Sequence, residues 1–110
     1  LFSSIVRRNF NDSGTLVDTH GEYPKEVRLV ATEYNVPFID LQYQTERLEK
    51  SYGVEGSKKL HLHFKPGENP YYKNGKHDDT HLSKLGATEV AKFAVLELKK
   101  QVPSLVKFIK

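Results

Sequence analysis

The apolar positions of the chain change period along its length, and each change marks an element. Residues 1–6, LFSSIV, form a short apolar run that predicts a strand. The polar stretch RRNFNDSGTLVDTHGEY follows, with its turn signal at Asn11–Asp12–Ser13–Gly14. Pro24 suits the first position of a helix. Behind it Val27, Val30, Ala31 and Tyr34 recur at helical spacing, and Asn35 is a natural stop. VPFID (36–40) is a short buried-type run whose length predicts a parallel strand. Leu41, Thr45, Leu48 and Tyr52 give a second helical face, stopped by Gly53, a residue that takes the left-handed cap conformation readily. A short helix is predicted over 55–60. LHLHF (60–64) alternates like a strand. Residues 65–80 are rich in turn formers and predict an irregular surface loop. Ser83 is a good N-cap for a last long helix, 84–101. Ala87, Val90, Ala91, Ala94, Val95, Leu98 and Val102 line one face of it, Pro103 ends it, and SLVKFIK reads as a final short turn.

The order strand, helix, strand, helix, strand, loop, helix is an α/β alternation. It predicts a short parallel sheet with crossover helices. Two or three strands do not make a well-covered parallel sheet, because such sheets are buried on both faces. The element count therefore resembles the second half of a doubly wound domain, with an open sheet edge and uncovered helix faces that invite self-association or contact with another segment. The chain opens in an apolar stretch and contains no Met, which suggests that Leu1 is not the native start of a gene product.

Composition narrows the function classes only modestly. The 110 residues fit one small domain or part of a larger one, with 37% hydrophobic and 28% charged residues. Net charge is +3, without the long basic block that marks a nucleic-acid tail, so no nucleic-acid partner is expected. There is no cysteine, hence no disulfide framework or thiolate metal site. No apolar run approaches a membrane span, and no signal peptide is visible.

The candidate chemistry lies in KHDDTHLSKLGATEVAK, residues 76–92. Asp78 and His81 are three residues apart at a predicted loop-to-helix junction. That spacing lets a carboxylate reach one ring nitrogen of the histidine and fix its tautomer, leaving the other nitrogen to take a proton from a hydroxyl nucleophile. The same residues read equally well as an acidic cluster favoured by the dipole at a helix start. The serines, at 3, 4, 13, 51, 57, 83 and 104, stand in no G-x-S-x-G or GDS context.

The stretches RRNF, LVDTHGEYP, VPFIDL, GVEGSKKLHLHFKPGENPYY and DDTHLSKLGA, in that order along nearly the whole chain, resemble the SGNH (GDSL-like) hydrolases, in their rhamnogalacturonan acetylesterase branch. The resemblance implies the C-terminal half of a three-layer α/β/α, flavodoxin-like SGNH hydrolase fold. It implies that residues 1–110 are the C-terminal portion of one such domain. It also implies that His81 is the general base and Asp78 its orienting carboxylate. Asp79 falls on a variable position of the motif and is read as a solvated or helix-end charge, and Thr80 is given no chemistry. The family's nucleophile and oxyanion blocks have no counterpart here; Asn11–Asp12 lacks the glycine of the corresponding block and sits out of order. The implied activity is removal of acetyl groups from pectic polysaccharide, by a secreted or periplasmic enzyme without metal or organic cofactor, with this chain inactive alone.

Other residues carry weaker signals. Arg7 and Arg8 follow the first strand, where ligands bind in α/β folds, and are candidates for meeting a substrate carboxylate, or else surface charges or members of an ion pair within the loop. Tyr71 and Tyr72, in a Pro/Gly loop, are candidates for stacking on sugar rings, or for packing the loop down. His61 and His63 share the spacing of some metal sites but have no evident third ligand, so a structural or solvent-facing role is expected. His20 and His77 read as loop residues. The alternative to an esterase part is a non-catalytic α/β module that binds acetylated polysaccharide, oligosaccharide or a partner.

Overall fold

Three helices and one hairpin account for the regular structure of the chain. The computed structural model describes residues 1–110. Helix α1 spans Tyr23–Glu33 with Pro24 in its first turn, and Asn35 follows it in the left-handed region at φ 49°. Helix α2 spans Leu41–Gly56. Its cap is Asp40, whose carboxylate accepts the Tyr43 N–H at 2.9 Å. Gly53 is non-helical at φ 70°, ψ 177°, so the regular helix breaks where the stop was expected, and a further short turn follows it to Gly56. A 3-10 turn, Ser57–Leu60, leads into strand β1, His61–Phe64. Strand β2 spans Lys76–Leu82, and helix α3, Lys84–Gln101, starts at the Ser83 cap, whose Oγ accepts the Gly86 N–H at 3.1 Å. A last 3-10 turn covers Pro103–Phe108.

The sheet departs from the expected short parallel sheet: β1 and β2 pair antiparallel and stand as a two-stranded sheet. The region expected to be loop up to residue 80 is strand from Lys76 onward. A loop closing on Gly75, at φ 80°, returns the chain directly alongside β1, and a short return of this kind forces the antiparallel sense. The predicted strands at 1–6 and 36–40 reduce to one parallel bridge, Phe2 to Ile39. Two backbone bonds frame it: Ser3 N–H to the Ile39 carbonyl at 3.0 Å and Ile39 N–H to the Leu1 carbonyl at 2.8 Å. The polar Ser3–Ser4 pair limits the apolar run here, and Ser3 turns its hydroxyl to the Gln42 N–H at 2.9 Å instead of extending a ladder.

The interior is thin. Its apolar members are Val6, Ala31, Ile39, Leu41 and Leu60. Buried polar groups join them: Thr45 Oγ1 accepts the Val6 N–H at 3.0 Å and donates to the Leu41 carbonyl at 2.7 Å, tying the first segment to α2. His61 Nε2 bonds Glu49 Oε1 at 2.6 Å, both side chains almost wholly buried, which fastens β1 under α2. Helix α3 approaches through Gly86, its one buried residue, where a methyl group would overlap the Leu60 carbonyl. Val90, Ala94, Val95 and Leu98 of its apolar stripe are half-buried, Leu85 and Leu96 of the same helix are exposed (Leu96 to 54%), and Phe2, Leu29 and Phe108 are exposed elsewhere. The chain has a radius of gyration of 15.9 Å, against about 13 Å for a compact domain of this length.

Two substitutions test this packing. Gly86→Ala gains about 1 kcal/mol of helix propensity, yet the overlap with Leu60 makes it destabilising. A urea midpoint equal to or above that of the native chain contradicts the close approach. Glu49→Ala leaves His61 Nε2 without a partner and is expected to cost roughly 3 kcal/mol, read from the same unfolding curves.

Candidate active site

The site is made by an irregularity in the hairpin. His61 pairs with Leu82, but the next residue of β1, Leu62, pairs with Asp78, so residues 79–81 of β2 bulge out of the ladder. Such bulges re-aim side chains. Asp78 shapes this one through its own side chain. Its Oδ1 accepts the backbone N–H of Thr80 and of His81, each at 2.9 Å, and its Oδ2 accepts the Nδ1–H of His81 at 2.9 Å. The carboxylate thus folds the turn and holds the imidazole at once.

The electrostatics follow from this geometry. Hydrogen bonds from the His81 and Thr80 amides, and then from the imidazole, hold the Asp78 carboxyl far below its ordinary value. Lys76 Nζ, 3.7 Å away, adds positive charge on the same side. With Nδ1 protonated toward Asp78, Nε2 of His81 is the acceptor nitrogen, and the side chain is 73% exposed. An imidazole oriented by a carboxylate, with its basic nitrogen facing outward, accepts a proton from a hydroxyl brought to it. Asp78 is the partner the structure gives the ring.

The Asp79 side chain is half exposed, as a solvated charge would be, but it is also bonded within the chain: its Oδ1 accepts from Arg8 Nη1 at 2.8 Å and from His63 Nε2 at 2.7 Å, and its carbonyl accepts the Arg8 N–H at 2.9 Å. Burial alone raises the Asp79 carboxyl, but the bonds from Arg8 and His63 outweigh it and leave it lowered.

Among proteins of known function, the rhamnogalacturonan acetylesterase RhgT of Bacillus subtilis (strain 168) is 46% identical over 90 residues, which is 82% of this chain and 39% of that protein. The chain is a relative of this acetylesterase. It spans 39% of that relative's length, less than half. No family description matches the chain, and no solved structure does.

In this relative of an acetylesterase the other sequence candidates fall in different places. Arg8 lies against the bulge, but its guanidinium is engaged within the chain: Nε donates to Ser57 Oγ at 3.0 Å and Nη2 to the Val54 carbonyl at 2.6 Å, besides the bond to Asp79. Arg7 is exposed and borders a recess of about 140 Å³ with Leu16, Val17, Asp18, Gln42 and Glu46. Tyr72 stacks on Phe64, ring centroids 5.7 Å apart, and lies under Lys76, so it packs the loop down. Tyr71 is 89% exposed and free to meet a ligand. His61 and His63 do not form a metal pair, since each is bonded to a different carboxylate. The Glu49–His61 bond and the Asp79 cluster escaped the sequence reading. Both join residues far apart in the chain, and the one signal for them was charge at otherwise apolar positions.

A pH dependence follows from Asp78. Its carboxyl is lowered in the folded chain, so its contribution to stability is complete above the ordinary carboxylate value near pH ~4 and is lost as pH falls further. The stability advantage of the native chain over Asp78→Asn is therefore expected to shrink from about pH 5 toward about pH 2. An advantage that stays constant across this range contradicts the assigned bonds.

Proposed function

We propose that the chain supplies the general-base part of a serine acetylesterase acting on acetylated rhamnogalacturonan or a closely related pectic polysaccharide. The observation that carries this reading is the Asp78–His81 pair, with Nδ1 held at 2.9 Å and the opposite nitrogen open, in a chain 46% identical to an acetylesterase. A serine from sequence outside these 110 residues attacks the acetyl carbonyl, and His81 Nε2 takes its proton. The tetrahedral intermediate collapses, the sugar oxygen leaves with the proton from His81, and the acetyl group stays on serine. Water then attacks the acetyl-enzyme with His81 again as base, releasing acetate. Asp78 keeps the imidazole in the useful tautomer and stabilises the imidazolium. No metal or organic cofactor enters the scheme.

In this reading the 110 residues are the C-terminal portion of a single SGNH hydrolase domain. The exposed apolar residues of α3, with Phe2 and Leu29, support it, because they provide surface for the remaining part or for self-association. Tyr71 and Arg7 are the chain's accessible candidates for the sugar and its carboxylate, and the enzyme works outside the cytoplasm or in the periplasm, where polysaccharide is met.

The test is a chimera in which this chain replaces the matching segment of the Bacillus acetylesterase. The chimera is expected to release acetate from acetylated rhamnogalacturonan, and His81→Ala to lower that release by about 10³-fold or more. The chain alone is expected to release none. A His81→Ala chimera that keeps its rate overturns the assignment, and polysaccharide binding by the chain with no effect of His81 on hydrolysis supports the binding-module alternative instead.

A further inference from the structure

We propose that Asp79 is a positioning residue for the Asp78–His81 pair: it anchors the bulge that carries both, through Arg8 and His63. The proposal rests on the reading of that pair as a proton-transferring group, but its geometry is tested independently of catalysis.

The argument starts from what a bulge lacks. Residues 79–81 have no ladder partners on β1, so the sheet fixes the two ends of the excursion, Asp78 and Leu82, but not the residues between them. Asp78 closes the far side of the excursion by holding the amides of Thr80 and His81. These bonds are internal to the turn. They set its shape but not its place against the rest of the chain. Asp79 supplies the external attachment, with both main chain and side chain. Its carbonyl takes the Arg8 amide, and its Oδ1 takes Arg8 Nη1 and His63 Nε2.

The anchors are themselves fixed. The Arg8 side chain is 10% exposed, and its remaining donors reach Ser57 Oγ and the Val54 carbonyl, at the end of α2. His63 sits on β1, 13% exposed and edge-on to His77. Asp79 therefore ties the bulge to three parts of the chain that the sheet alone does not connect: the first segment, the end of α2 and β1. Charge-assisted bonds of this length are among the stronger ones a surface site forms.

The two neighbouring carboxylates have separate partners: Asp79 Oδ1 takes Arg8 and His63, while Asp78 Oδ2 takes Nδ1 of His81.

The experiment is nuclear magnetic resonance on the 110-residue chain. Imidazole nitrogen shifts report which nitrogen of His81 carries the proton, and amide exchange reports the bulge. In the native chain His81 is expected in the Nδ1–H tautomer. Asp79→Ala is expected to move it toward the Nε2–H tautomer. It should also speed exchange of the Thr80 and His81 amides about tenfold, the change that loss of one hydrogen bond's worth of local stability produces. Asp79→Asn keeps an acceptor oxygen and should preserve both signals. His63→Ala removes one of the two side-chain donors and should give a smaller change in the same direction. Amides of α3 serve as the internal reference for folding in every variant. If Asp79→Ala leaves tautomer and exchange unchanged, the anchor is not needed. If Asp79→Asn behaves like Asp79→Ala, charge and not position is what Asp79 supplies. Either result overturns the proposal.

Discussion

The guanidinium of Arg8 is the contact on which this arrangement depends. Its Nε, Nη1 and Nη2 donate to Ser57, Asp79 and Val54, residues contributed by two separate parts of the chain. No apolar cluster joins those parts, because the interior is thin and lies mainly between the first segment, α2 and the 3-10 turn before β1. A rigid planar fork does here what a larger core does elsewhere. It holds a strand bulge against a helix end by directed bonds, and a lysine has neither the donors nor the geometry to replace it.

From that anchor the site follows by short steps. The first segment is held to α2 by the buried Thr45 hydroxyl and to residue 39 by a single parallel bridge. Its continuation reaches β2 through Arg8. The hairpin is fastened beneath α2 by the Glu49–His61 bond and to α3 by Gly86 against Leu60. Asp78 then needs no further scaffolding. Its carboxylate folds the turn that presents His81, so the group that shapes the backbone is also the group that orients the ring. Economy of this kind suits the proton transfer proposed for the pair, which needs geometry correct to about half an ångström.

Much of this was legible in the residues. The three helices, the Ser83 cap, the stop at Asn35 and the break at Gly53 are local signals, and each stands where local chemistry places it. The Asp78–His81 contact was legible for the same reason, since a three-residue spacing is settled within one turn. What was not legible depends on partners distant in sequence. Residues 76–80 read as loop because their charges hide a strand that exists only by pairing with β1. The antiparallel sense of that pair, against the parallel sheet expected from the order of elements, is fixed by the return at Gly75 and not by α/β alternation. Arg8 read either as a ligand contact or as a member of a local ion pair; its actual partners at 54, 57 and 79 lie 46, 49 and 71 residues away, beyond the reach of a local reading. The burial of Glu49 on α2 depends on a partner histidine that lies beyond the helix.

The proposed roles, proton transfer by His81 with Asp78 orienting the ring and stabilising the imidazolium, are addressed most directly by chemical rescue. In the chimera with the Bacillus acetylesterase carrying His81→Gly, added imidazole should occupy the vacated space and restore acetate release in proportion to its concentration, while Asp78→Gly should not respond. Imidazole that accelerates the unsubstituted chimera and the His81→Gly variant alike, or a His81→Gly variant that is as fast without it, contradicts the account.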